Sequence, residues 1–186
     1  MHRIAVNLVF EDELSQAVME TLLKIRSRDF EVGTVYSCHG FGQIKKRISG
    51  FNAGAAYGNP FFVLTDLDQN ICPLKLIESW LYVPVNPRLL FRVAVHEIES
   101  WILADSANLV NYLEVDENVI PAFPDSLPDP KQQLLNIVKK SKRRNIKEGI
   151  LPSNETAVIG PCYNLLLCGF VRKIWNWENA QDRPRA

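Results

Sequence analysis

The chain has little of what usually decides a function at sight. None of its apolar segments approaches the ~20 residues needed to span a bilayer, so no membrane partner is expected. Its four cysteines, Cys38, Cys72, Cys162 and Cys168, contain no Cys-x-x-Cys pair, and the histidines do not stand at zinc-ligand spacing. That excludes a zinc-finger scaffold and a disulfide framework, and each cysteine reads as a small buried hydrophobe. Net charge is missing as well, with 21 Lys plus Arg against 21 Asp plus Glu. A protein that gathers nucleic acid by its overall field is thereby excluded, so any such contact must come from a local basic surface. Internal repeats and low-complexity tracts are absent. The first residues, Met1 to Phe10, are too short for a secretory signal and run straight into acids, so they read as a strand in a cytoplasmic protein.

What is present is ordinary globular material, 47% apolar and 23% charged over 186 residues, enough for one full core. Its most informative stretch is Phe61-Phe62-Val63-Leu64-Thr65-Asp66-Leu67-Asp68, which follows the breaker pair Asn59-Pro60. An uncharged run rich in Phe, Val and Leu suits a central parallel strand covered on both faces. In open α/β sheets, ligands bind just beyond the carboxyl ends of such strands. Asp66 and Asp68 stand at that edge, and their repulsion is most readily offset by a divalent cation such as Mg²⁺. The plainer alternative is that one Asp caps the next helix while the other is solvated.

Arg3 to Phe10 is a first strand, and Leu14, Ala17, Val18, Leu22 and Ile25 then fall at helical spacing. Glu11 therefore sits at a strand's carboxyl end, as Asp66 does, although an acidic first turn also compensates the helix dipole. A second strand spans Asp29 to Tyr36. Gly40-Phe41-Gly42 follows and leads to Lys45-Lys46-Arg47 at a helix start, where basic charge opposes the dipole and suggests an anionic ligand. A helix is expected from Pro73 to Tyr82 and a fourth strand from Leu89 to Val95. His96 to Asp105 reads as a further helix, with Glu97, Trp101 and Asp105 on one face and Glu99 opposite. Glu97 would then join the Asp66/Asp68 edge, while His96 reads as a partly buried hydrogen-bonding residue.

The composition changes at Val119, after which four of the eleven residues from Ile120 to Pro130 are proline. This is an extended connector, followed by a helix that Asp129 caps and Pro130 opens. Its end, Lys139-Lys140-Ser141-Lys142-Arg143-Arg144-Asn145-Ile146-Lys147, is the densest basic patch in the chain. Nucleic-acid phosphates are its natural partner, through Lys139, Lys140, Arg143 and Arg144 as well as Lys45 and Lys46. Gly160 to Asn164 opens a last amphipathic helix through Trp175. The expected organisation is an α/β core over residues 1–118, with the connector and helical extension of 119–186 packed on the same domain.

A Glu after the first strand and an Asp-x-Asp after a later one resemble the TOPRIM pattern of topoisomerases, primases and OLD-family nucleases. The segment from Glu97 to Asp105, together with Asp129-Pro130-Lys131 and Gly160 to Asn164, resembles bacterial TOPRIM-like proteins linked to phage defence. The resemblance implies a Rossmann-like TOPRIM-type α/β domain, its central, mostly parallel sheet of about four strands flanked by helices, plus a helical C-terminal extension. It also implies metal-dependent phosphodiester hydrolysis, with Mg²⁺ or Mn²⁺ held by Glu11, Asp66 and Asp68 and a third acid supplied by Glu97 or Glu99. Lys131 or Lys45 would neutralise phosphate charge. A partner protein encoded nearby is implied for targeting. TOPRIM domains usually place Gly after the first Glu, whereas Asp12 stands there, so Glu13 competes with Glu11. Two other functions fit the same residues: a haloacid-dehalogenase-like phosphatase using Asp66 as nucleophile, and a non-catalytic binding protein presenting Trp175 and Trp177.

Overall fold

Strands and helices alternate through the first half of the chain and, among the described residues, only helices follow, as the hydrophobic periodicity predicts. The computed structural model describes residues 3–68, 70, 72–154 and 156–181. Met1 and His2, which open the expected first strand, lie outside them. The chain forms two compact units, Met1–Val95 and His96–Ala186, and the compositional change at Val119 falls inside the second.

In the first unit the order is β1 (Ile4–Phe10), α1 (Glu13–Ile25), β2 (Phe30–Ser37), α2 (Phe41–Tyr57), β3 (Phe61–Asp66), α3 (Pro73–Trp80) and β4 (Leu89–Ala94). The four strands make one sheet in the order β2-β1-β3-β4, and every neighbouring pair is parallel. The two central strands are the most apolar and the most buried, whereas β2 and β4 carry exposed positions at the edges. Right-handed crossovers in this order put α1 and α2 on opposite faces, because the chain reverses direction across the sheet after β2. Under α2 and α3, Val9, Phe61, Val63, Leu89 and Phe91 pack with Ile44, Ile48, Phe51, Ala55, Leu76 and Trp80. The buried stripe of α1, Leu14, Ala17 and Val18, serves the other face.

Two local devices fix this unit's loops. Asp12 is the N-cap of α1, its Oδ1 accepting the Ser15 N–H at 2.8 Å. Asn52, only 6% exposed, donates to the Pro84 carbonyl at 3.1 Å and accepts the Asn86 N–H at 2.8 Å, pinning the proline-interrupted loop before β4 to α2.

The second unit is helical among the described residues: α4 (Glu99–Ala104), α5 (Ser106–Leu113), α6 (Pro130–Val138), α7 (Arg144–Ile150), α8 (Tyr163–Lys173) and α9 (Trp177–Gln181). Here the structure corrects several expectations. A continuous helix from His96 to Asp105 does not form. His96 has a positive φ of 58°, Glu97 precedes the first helical turn, and Asp105 stands between α4 and α5, so Glu97, Trp101 and Asp105 share no helix face. The proline-rich connector is not simply extended, since it contains a 3-10 turn at Pro124–Ser126 and follows directly on another at Glu117–Val119. The basic run, expected at the end of one helix, crosses from α6 into α7. Trp175 is buried rather than exposed, and its indole N–H donates to the Trp101 carbonyl at 3.1 Å, while Trp177 is half-buried.

Asp105 holds the carboxyl-terminal segment in place. It is fully buried, and its oxygens accept from the Asn176 N–H at 2.7 Å, the Asn179 amide at 3.0 Å and the Asn108 amide at 2.9 and 3.2 Å. Gly160 allows the chain to pass against the end of α7. A Cβ there would lie 2.4 Å from the Gly149 carbonyl oxygen and 2.5 Å from that of Leu151. No helix among the described residues is long and apolar enough to cross a membrane.

Candidate active site

The sheet order places a topological switch point between β1 and β3, because the connections from these adjacent strands lead to opposite sides of the sheet. Ligands of open α/β sheets bind at the carboxyl ends of strands at such a point. Glu11 follows the last residue of β1, and Asp66 is the last residue of β3. Both expected acids therefore flank the switch point.

Glu11 is half-buried and bonded across to β3. Its Oε1 accepts the hydroxyl of Thr65, a residue only 1% exposed, and the Asp66 N–H at 3.3 Å. Burial raises the Glu11 carboxyl above its ordinary range; the two hydrogen bonds oppose that shift, and the negative charges of Asp68 and Asp12 add to it. Glu13 instead opens α1 and is exposed, so Glu11 is the acid tied to β3.

Beyond β3 the backbone turns sharply. The Leu67 N–H donates to the Ala94 carbonyl at 2.9 Å, and Leu67 itself is buried. Asp68 has a φ of 49° and is exposed. The Asn70 side chain closes the turn by donating to the Leu67 carbonyl at 2.8 Å. Asp66 is half-buried and Asp68 faces solvent, so the pair differs in environment although only one residue separates them.

Lys45 and Lys46 lie in the second turn of α2 rather than at its start, and both are exposed. Arg47 leaves the cluster: its guanidinium lies 5.6 Å from the Tyr36 ring centre and 5.1 Å from that of Phe51, and it contacts the Cys38 sulfur at 3.7 Å. The hydroxyl of Thr65 is the group at this edge that pattern reasoning missed. Its signal was a polar residue standing between the apolar run Phe61 to Leu64 and Asp66.

In the second unit Glu97 and Glu99, expected on opposite sides of one helix, both meet Lys131, and Tyr163 joins them. Glu97 Oε2 accepts the Lys131 backbone N–H at 2.9 Å, and Glu97 Oε1 lies 3.3 Å from the Lys131 ammonium. Glu99 is 2% exposed; its Oε1 accepts the Tyr163 hydroxyl at 2.6 Å and lies 3.5 Å from the same ammonium. Its Oε2 is buried with no hydrogen-bond partner among the described residues. Burial pushes the Glu99 carboxyl up despite Lys131 and Tyr163, and nearby Glu97 reinforces the shift. An ammonium thus sits against both carboxylates.

Of the basic run, Lys139, Lys140 and Lys142 are exposed, Lys139 donating to Asn136 at 3.1 Å. Arg143 donates to the Tyr112 carbonyl at 3.1 Å and stacks over that ring, and Arg144 pairs with Glu148 at 2.7 Å. Ser141, nearly buried, anchors the run by donating to the Leu113 carbonyl at 2.5 Å.

Among the described residues no group of three or more His, Cys, Asp or Glu side chains is gathered closely enough to hold a metal ion. The edge of β1 and β3 offers carboxylate oxygens only. That donor set fits a hard cation which keeps several waters and takes the rest of its shell from substrate, the habit of Mg²⁺, and does not fit one that needs an all-protein cage.

The sequence matches no family model and no curated protein. A solved structure that the chain is similar to is the C-terminal region of the Burkholderia pseudomallei OLD protein, at 13% identity and a TM-score of 0.44, with 96% of each chain covered.

Proposed function

We propose that this protein is a metal-dependent phosphodiesterase acting on nucleic acid, with its reacting centre at the carboxyl edge of β1 and β3. The observation that carries the proposal is the pairing of Glu11 with Thr65 and the Asp66 N–H across two adjacent parallel strands at the switch point. An acid serving only the dipole of α1 would stay in solvent, whereas Glu11 is half-buried against the neighbouring β3, with other carboxylates nearby that push its proton affinity up. The TOPRIM-like spacing of the same residues supports the reading.

Glu11 and Asp66 would hold Mg²⁺ or Mn²⁺, with water and substrate oxygens completing the shell and Asp68 joining through a water. Such an ion supplies a Lewis acid for the phosphoryl oxygen and lowers the pKa of a bound water. The chain's own part is to hold acids of different exposure at a fixed edge: Asp66 in place on β3, Asp68 out on its turn, Glu11 braced between strands. The exposed Lys45 and Lys46 of the first unit, and Lys139, Lys140 and Lys142 of the second, are candidate contacts for phosphates along a substrate, so binding should weaken with salt. In the second unit the Lys131 ammonium is engaged by Glu97 and Glu99, and the proposal does not depend on it.

The test is cleavage of supercoiled plasmid, linear DNA and RNA in Mg²⁺ or Mn²⁺, with free phosphate measured in parallel. Nicked or shortened strands are expected, with activity falling roughly 100-fold or more in Glu11→Gln and Asp66→Asn variants that keep the wild-type melting temperature. Activity that survives both substitutions would overturn the assignment. Release of free phosphate without strand cleavage would make the protein a phosphatase.

A further inference from the structure

We infer that Thr65 is a specificity-determining residue: by occupying one oxygen of Glu11 it makes that side chain a one-oxygen ligand and so favours Mg²⁺ or Mn²⁺ over Ca²⁺. The inference rests on the metal reading above and goes beyond it, because it assigns a role to a residue with no acidic group and names the ion that is refused.

Thr65 is buried at 1% exposure near the end of a strand whose other core positions are Phe61, Phe62, Val63 and Leu64. Valine would fill the same space with no polar atom to satisfy, and a buried hydroxyl is costly unless it is bonded. The partner it has is Glu11 Oε1. The Asp66 N–H is directed to the same oxygen, not to Oε2. A carboxylate oxygen has about two lone-pair sites, and here both sites of Oε1 face protein donors. Glu11 therefore has Oε2 to offer a cation and cannot chelate through both oxygens without breaking the bond to Thr65.

The two ions respond differently to that constraint. Ca²⁺ takes roughly six to eight oxygens and commonly draws both oxygens of a carboxylate, whereas Mg²⁺ wants a compact octahedron and accepts one or two carboxylate oxygens plus water. Threonine at this place thus excludes one coordination mode while holding the remaining oxygen in position. Groups that orient a metal ligand in this manner typically carry about 10- to 100-fold in affinity.

The experiment is isothermal titration calorimetry of the full chain with MgCl₂, MnCl₂ and CaCl₂ in separate runs, on wild type, Thr65→Val and Thr65→Ser, with thermal melts to show that each variant is folded. Wild type and Thr65→Ser should both prefer Mg²⁺ and Mn²⁺. In Thr65→Val the ratio of Mn²⁺ to Ca²⁺ affinity should fall about 10-fold or more. An unchanged ratio in Thr65→Val would overturn the inference. So would an equal fall in Thr65→Ser, which would trace the effect to packing of the methyl group instead of the hydroxyl. Wild type that binds none of the three ions overturns this inference, and the cleavage assay with Glu11→Gln and Asp66→Asn then judges the metal reading by itself. Wild type that binds with the expected preference yet cuts no nucleic acid upholds the inference and sinks only the nuclease.

Discussion

Replacing Asp105 with alanine removes the acceptor of three donors at once: the Asn176 N–H at 2.7 Å, the Asn179 amide at 3.0 Å and the Asn108 amide at 2.9 Å from the nearer oxygen. Hydrogen bonds to a carboxylate are worth about 1.5–3 kcal/mol each, so the gross loss is roughly 5–9 kcal/mol. Water recovers much of it, since all three donors are only partly buried, but none of it reaches the site of the lost carboxylate, which is fully buried. A net cost of about 3 kcal/mol follows, and for a chain of this size that lowers the melting temperature by about 6–12 °C. Asp105→Asn keeps the shape and one acceptor but turns a donor toward donors, so it should fall between wild type and alanine. Circular dichroism melts give the global number. Hydrogen exchange gives the local one: the Asn176 amide should lose protection in Asp105→Ala before the helices of the second unit do. A variant that melts with wild type and keeps that amide protected would refute the claim that this carboxylate pins the carboxyl-terminal segment.

Gly160→Ala should cost about 3 kcal/mol or more, because the new Cβ would meet backbone atoms of residues 149 to 151 that no rotamer change can clear; a melt unchanged from wild type would contradict that packing. Asn52→Ala should cost roughly 1–3 kcal/mol and raise proteolytic nicking between Tyr82 and Arg88, as the loop loses both bonds to α2; equal nicking in wild type would argue against the clip. Glu99 supplies a pH test. Its carboxyl is raised above the ordinary 4.5, so the folded state holds the proton more tightly than the unfolded chain, and its contribution to stability falls as pH rises from 4.5 through the folded value. Urea unfolding should show Glu99→Gln gaining on wild type across that window, and a gap between the two that does not change with pH would refute it.

Much of the first unit was legible because its signals are local. Phe61 to Leu64 announces a doubly covered strand, Pro73 marks a helix start, and Glu11 and Asp66 follow from where the strands end. What the pattern could not show depends on partners far apart in the sequence. Thr65 finds Glu11 from the neighbouring strand, and Tyr163 finds Glu99 across a separation of 64 residues. The break at His96 was hidden because Glu97 to Ala104 has helical composition, and only the left-handed turn at His96 delays the helix to Glu99. Trp175, read as a candidate for an exposed binding surface, is buried because its indole N–H finds a carbonyl on α4, 74 residues away in sequence.

The order of the strands has a consequence for timescale. β1 and β3 are each laddered to a neighbour on both sides, and β2 and β4 on one side only. Fraying starts where one ladder must break instead of two, so transient openings should run along the edges and leave the middle pair intact. The spacing between the ends of β1 and β3 is the ordinary interstrand distance of about 4.8 Å, and it cannot widen without undoing a doubly bonded ladder. Glu11 and Asp66 are therefore held to one separation through fluctuations that open β2 or β4. The slowest-exchanging amides of the first unit should be those of Val9 and Val63, two and three residues before the acids, so the most persistent part of this unit lies beside the proposed reacting centre.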